Sequence, residues 1–153
     1  MRDPEITQYA TEYEAATNYF LDAVKQLNPA DLDKPKSDGW NARQVIHHLA
    51  DSESQSLARL KRLIAEPGTT IQGYDENKWA QSATLGYTDL PIENSLALFK
   101  ASRAASLEII KRLNLEQLSN AGIHTESGAY DLRKWLKSYT NHPKDHTGQL
   151  LAD

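Results

Sequence analysis

The sequence predicts an all-α protein: a four-helix bundle with a long crossover connection between its second and third helices. Three observations predict it. Four long segments repeat apolar residues every three or four positions, no run alternates convincingly enough to read as a strand, and one link is far longer than the rest. The 153 residues make one domain against a typical ~100–200, read here as spanning residues 1–153. A chain of that length buries roughly 70% of its unfolded surface, so neither disulfides nor a structural metal is needed to hold it together.

The first helix is read from about Glu5 to Leu27, where Ile6, Tyr9, Tyr13, Ala16, Phe20, Val24 and Leu27 form the stripe. Asn28-Pro29 ends it. The second opens on Trp40-Asn-Ala-Arg-Gln-Val45: Asn41 suits an N-cap, Gln44 the reciprocal capping-box position, and Trp40 a staple onto Val45. It runs to about Glu66 and closes at Pro67-Gly68. The third starts near Pro91 and repeats Ile92, Leu96, Phe99, Ser106, Ile110 and Leu113, with Arg103 inside the stripe. The fourth starts at an N-cap Asp131, carries Leu132, Trp135, Leu136 and Tyr139, and reaches Leu150. Pro67 to Leu90 is about two dozen residues, against the ~2–8 usual between bundle neighbours. That length indicates a crossover and sets Gly73-Tyr74-Asp75-Glu76 and Trp79 where they can cover one bundle end.

Composition excludes several functions. Lys plus Arg is 17 and Asp plus Glu 21, a formal net charge of -4, the wrong sign for neutralising a phosphate backbone; nucleic acid is not an expected partner. Zero cysteines remove disulfides, thiolate ligands and a cysteine nucleophile, and fit a reducing cytoplasm. The opening residues have no signal-peptide core, and no window approaches the ~18 apolar residues of a membrane span.

The histidines carry the chemistry. His142 and His146 differ by about 40° around a helix and project from one face, one turn apart, as two ligands of a single ion would. On the second helix, Val45, Leu49, Leu60 and Leu63 mark the buried stripe; His48 lies on its edge and points inward, whereas His47 falls opposite and points outward. Three imidazoles, His48, His142 and His146, can therefore converge between two helices. Three neutral imidazoles leave a coordination position open for water or substrate. Without thiolates the ion is a divalent metal, and zinc, nickel, iron, cobalt and manganese all stay open, because imidazole suits several of them and affinity order alone does not select. A His-x-x-x-His pair is also common on plain helix surfaces. Pro143 opposes ideal geometry as well, because it removes a helical hydrogen bond and disfavours helical φ/ψ at His142, so the helix is expected to kink or restart there.

The segments Trp40-Asn-Ala-Arg-Gln-Val-Ile-His-His-Leu-Ala-Asp-Ser52 with Arg59 downstream, Gly73-Tyr-Asp-Glu-Asn-Lys-Trp-Ala80 and His142-Pro-Lys-Asp-His-Thr-Gly-Gln149 resemble the DinB-like four-helix bundles, and within them the YfiT branch of metal-dependent hydrolases. The resemblance implies that the histidine before Leu-Ala-Asp and both closing histidines bind a divalent metal, which carries over to His48, His142 and His146. Pro143 departs from the closing motif. The family is described with a long second-to-third connection and frequent homodimers. Its members divide between hydrolases and thiol S-transferases or isomerases that use a low-molecular-weight thiol of the bacillithiol or mycothiol kind. Fold alone does not choose between them. The resulting expectation is an enzyme that activates water or a small thiol for a small-molecule substrate; the alternative is a metal-binding or dimerising helical module without turnover.

Other polar groups have two readings each. Asp51 either orients a metal ligand or is a solvated carboxylate. Arg59 either clamps an anionic substrate or extends to water. Arg103 and Glu53 fall within apolar stripes, where an unpaired charge costs several kcal/mol, so a cross-helix ion pair is expected first and a substrate-carboxylate site second. Tyr74, Asp75, Glu76 and Trp79 either cover the metal or form a surface loop anchored by Trp79. His47 and His124 read as bystanders, and Ser52 and Ser56 have no histidine-carboxylate partners that would make a nucleophile.

Overall fold

The computed structural model describes residues 2–37 and 39–152. Four long helices, α1 (Pro4–Lys25), α2 (Ala42–Ala65), α4 (Glu93–Ile110) and α5 (Leu132–Leu151), are joined by links that carry a short helix α3 (Glu76–Gln81) and strands β1 (Thr70–Ile71), β2 (Ala121–His124) and β3 (Gly128–Asp131). Local chemistry starts three of the long helices. The Asp3 carboxylate accepts from the Glu5 N–H ahead of Pro4 in α1. Asn41 and Gln44 make the expected reciprocal pair at α2, at 2.9 and 3.0 Å, and Asp131 accepts from the Lys134 N–H at α5. At α4 the Ile92 cap position has no side-chain acceptor, and the helix begins two residues after Pro91.

Contacts between helices give their directions. Glu5 pairs with Arg133 and the Tyr13 ring stacks on Trp135, while Phe20 shares a cluster with Leu150, so α1 and α5 run parallel. His47 meets Ser95 and Glu53 meets Arg103, so α2 and α4 are parallel too. Phe20 packs on Phe99 while Thr17 meets Arg103, which sets α1 against α4. The order is up, down, down, up, and the link between α2 and α4 returns along the bundle as a crossover.

Three short strands also form a sheet, which sequence periodicity does not reveal. β1 pairs parallel with β2, and β2 pairs antiparallel with β3. Elements of two and four residues are too short to carry a period of two, and Gly122 shows why the sheet closes there. A Cβ on Gly122 would lie 2.4 Å from the Thr69 carbonyl oxygen, which accepts the Ile123 N–H. The sheet sits at the C-terminal ends of α2 and α4.

The core has two apolar clusters. One, near the sheet, includes Ile6, Tyr13, Leu60, Leu63, Ile110, Trp135 and Leu136; the other, toward the opposite end, includes Phe20, Val45, Leu49, Phe99 and Leu150. Between them lies a buried polar layer centred on Arg103, which is 1% exposed beside a fully buried Glu53, with an N–O distance of 2.9 Å. Arg103 also donates to Thr17 Oγ1 (2.7 Å), the Tyr13 carbonyl (3.1 Å) and the Tyr139 carbonyl (2.7 Å), and thereby ties α4 to α1, α2 and α5. Burial pushes the Glu53 carboxyl upward, and Arg103 and the Ser56 hydroxyl pull it back.

The Tyr139 contact resolves the proline. Pro143 has no N–H for the carbonyl four residues earlier, that of Tyr139, and the Arg103 guanidinium takes that acceptor instead. The helix therefore neither ends nor restarts at His142 and runs from Leu132 to Leu151. Arg103→Met, which strands a buried carboxylate, should lower unfolding free energy by about 3–5 kcal/mol in urea titrations. The double variant with Glu53→Leu should recover part of the loss; no recovery would mean that the charge pair is not the stabilising element.

Candidate metal centre

α2 and α5 are antiparallel here, so the N-terminal half of α2 faces the C-terminal half of α5. That arrangement brings His48, His142 and His146 together. Their ligand atoms all lie within 4.8 Å of one another. His142 Nε2 is 3.2 Å from His48 Nε2 and 3.1 Å from His146 Nε2. A proton on His142 Nε2 can point at only one of these neighbours, so hydrogen bonding leaves the trio incomplete, whereas one cation serves all three lone pairs. Imidazole nitrogens at ~2.0–2.1 Å from a tetrahedral zinc would stand about 3.3 Å apart, close to both measured separations. The donor set thus fits a divalent metal of the kind that imidazole suits.

Surroundings hold the rings in the ligand state. His48 is fully buried and packs against Trp40, ring centroids 4.8 Å apart. Burial first, and then His146, pushes the His48 imidazole down to about 4; burial, His146 and His48 together bring His142 to about 3. Both are neutral at pH 7. Two of the outer ring nitrogens have partners that orient them: His146 Nδ1 meets Gln149 Oε1 at 2.6 Å, and His142 Nδ1 meets Ser52 Oγ at 3.4 Å. His48 Nδ1 is buried without a partner among the described residues.

The remaining candidates fall elsewhere. Asp51 meets none of the three imidazoles and is not in open water: Tyr87 donates to its carboxylate, and burial raises its carboxyl against the pull of Tyr87 and His47. Arg59 neither reaches the cluster nor hangs free; it donates to Tyr139 Oη (2.9 Å) and the Gln72 carbonyl (2.7 Å). His47 corrects the expectation of an outward side chain. It is 5% exposed, with Nδ1 2.7 Å from Ser95 Oγ and Nε2 3.1 Å from the Leu90 carbonyl. Packing of α4, α5 and the crossover around α2 leaves Val45 through Ala50 buried without a break, so one stripe does not describe that turn.

The crossover covers this region in part. Asp75 caps α3 through the Lys78 N–H, and the Tyr74 ring packs on Trp79 at 4.4 Å. Glu76 is the carboxylate whose field meets His146; partial desolvation raises it and His146 lowers it. Ser52, Gln149, Trp40 and Tyr87 are the neighbours that sequence reasoning did not assign to the site. Helix spacing offered a signal for two: Ser52 is four residues after His48 and Gln149 three after His146. Tyr87 lies in the irregular link, where no period applies.

A family model described as the DinB superfamily matches residues 12–150. Over 148 residues, 96% of this chain, the sequence is 35% identical to a protein of Oceanobacillus iheyensis and 32% identical to one of Bacillus cereus; each is named "Putative metal-dependent hydrolase", and the match covers 84% of each relative. Among solved structures, YfiT from Bacillus subtilis, described as "a probable metal-dependent hydrolase with an unusual four-helix bundle topology", superposes with a TM-score of 0.85 at 25% identity over 98% of this chain and 86% of YfiT. The mycothiol-dependent maleylpyruvate isomerase shares the fold, with a TM-score of 0.76 at 15% identity over 96% of this chain and 61% of that one.

The depressed imidazoles set a pH dependence. With folded values below the ordinary 6.5, the unfolded chain binds more protons, so in metal-free protein their contribution is complete above about pH 6.5 and is lost as pH falls toward 4 and then 3. Urea midpoints should drop more between about pH 7.5 and 5 in the wild type than in His48→Gln/His142→Gln; equal drops would refute the assignment.

Proposed function

The chain belongs to the DinB superfamily, and on that premise we propose that it is an enzyme in which His48, His142 and His146 hold one divalent metal ion and act on a small-molecule substrate. When bound, the ion supplies Lewis acidity that lowers the pKa of a coordinated water or low-molecular-weight thiol. The observation that carries the reading is the convergence of three imidazoles whose ligand nitrogens lie within 4.8 Å of one another. Zinc and nickel are the ions placed first; imidazole suits both, and iron as well.

The protein's own groups divide the work. Gln149 and Ser52 orient the outer nitrogens of His146 and His142, and Trp40 keeps water from the face of His48. Arg103, by donating to the Tyr139 carbonyl freed at Pro143, keeps His142 and His146 one turn apart on one helix. Glu76, exposed at the start of α3, adds a negative charge in electrostatic range of His146. Hydrolysis is the outcome that the relatives' shared name supports; thiol transfer follows from the same acidity acting on a different nucleophile. All three imidazoles come from one chain, so the reading does not require the homodimer expected from the resemblance.

Elemental analysis of protein purified without a histidine tag should find about one metal per chain in the wild type and in His124→Ala. The same measurement should find almost none in His48→Ala/His142→Ala/His146→Ala. Undiminished metal in the triple variant would reject the site. With metal loaded, turnover of an ester, an amide or a thiol-plus-electrophile pair that disappears in the triple variant supports the enzyme; metal binding without turnover of any class supports the passive module instead.

A further inference from the structure

At the C-terminal half of α2 the surface opens into a cavity of about 400 Å³, lined by Gln55, Arg59, Arg62, Thr70 and Gln72 among others, with no acidic side chain in its wall. The volume falls within the ~300–1,000 Å³ usual for small-molecule clefts. Arg59 is the feature that needs explaining. Its guanidinium is half-buried and fixed by two neutral acceptors, Tyr139 Oη and the Gln72 carbonyl. No carboxylate pairs with it among the described residues. A guanidinium has five N–H donors, so three remain unspoken for on a group that is already oriented, and a partly desolvated cation with no carboxylate in contact favours an incoming anion. Arg62 adds a second positive charge at the rim; its contact with Glu66 is a surface pair at 4.0 Å. The buried hydroxyl of Tyr74, which has no partner among the described residues, lies within the field of Arg59.

Two considerations select the kind of anion. The cavity lies toward the C-terminal end of α2, whose negative dipole opposes a dianion more strongly than a monoanion; it contains no helix N-terminus of the sort that receives phosphate. A guanidinium fork matches carboxylate and phosphate alike, so the single firmly held cation and the helix dipole decide for the monoanion. His48 and Arg59 are eleven residues apart on α2, about 16 Å of helix rise, shortened by the tilt of the long arginine side chain toward the helix N-terminus. We propose that this cavity is a subsite for the carboxylate of an elongated monoanionic small molecule whose other end reaches the histidine cluster. Only the second half of that statement rests on the function proposed above; binding of the carboxylate does not.

The test titrates the full-length chain with hexanoate, hexanamide and inorganic phosphate and follows backbone and arginine Nε–H signals by NMR. Hexanoate should saturate the wild type with shifts centred on Arg59, Arg62 and Gln72, and hexanamide should produce none there. Arg59→Gln should weaken hexanoate binding at least tenfold. Arg62→Gln, a change on the exposed surface that leaves the fold intact, should weaken it severalfold. The His48→Ala/His142→Ala/His146→Ala variant should bind hexanoate at these residues as the wild type does, which separates the subsite from the metal. Hexanoate shifts located elsewhere, unchanged affinity in both arginine variants, or tighter binding of phosphate than of hexanoate would overturn the proposal. If the subsite behaves as expected while metal analysis fails, the function proposed above falls and the carboxylate site stands.

Discussion

One buried arginine organises this bundle. Arg103 leaves α4 and reaches each of the other three long helices through a carboxylate, a hydroxyl and two carbonyls, with the Tyr13 ring 3.6 Å beneath its guanidinium carbon. A cation with almost no exposure is tolerated only when its donors are met and its charge is balanced. Glu53 balances it, and three acceptors meet the geometry. The arrangement fixes the relative rotation of the helices at the layer where the two apolar clusters are separated. It also repairs a backbone fault, because the carbonyl that Pro143 leaves without a partner is one of the acceptors. A helix expected to break inside the closing motif is thereby continuous.

That continuity is what lets two imidazoles from α5 share a face and meet a third from α2. The site gains its character from desolvation more than from charge: burial is the leading reason that His48 and His142 stay neutral far below their usual range, and neutral imidazole is the form that donates a lone pair. The crossover contributes at the rim. It packs Tyr74 on Trp79, brings Glu76 into the field of His146, and closes over α2 through the Tyr87 to Asp51 and Leu90 to His47 contacts. Irregular backbone thus surrounds a site whose ring-bearing positions are all on regular helices, which hold them in fixed register.

The long helices, the caps at Asn41 and Asp131 and the crossover between α2 and α4 were legible because each rests on a local rule. Asn41 with Gln44, Asp131 before an apolar run, and a link too long for neighbouring helices are signals that tertiary context does not reverse. The trio of histidines was legible for the same reason, since helix spacing alone puts His142 and His146 on one face. His47 was misread because a single apolar stripe assumes one packed side, and α2 is packed on several. The sheet was missed because strands of two to four residues give no period. Arg59, Asp51 and Tyr87 depend on where the crossover lies in space. Sequence spacing has no hold on that.

The central claim is that three imidazoles from α2 and α5 bind one cation and leave it a vacant position. X-ray absorption at the edge of the bound metal tests this most directly in protein loaded with a single equivalent of zinc. The account predicts three nitrogen scatterers with imidazole outer-shell features at about 2.0–2.1 Å, together with an oxygen ligand that a small thiol replaces with sulfur at about 2.3 Å. A shell without three imidazoles, or one already closed by four protein ligands that no added thiol displaces, would contradict it.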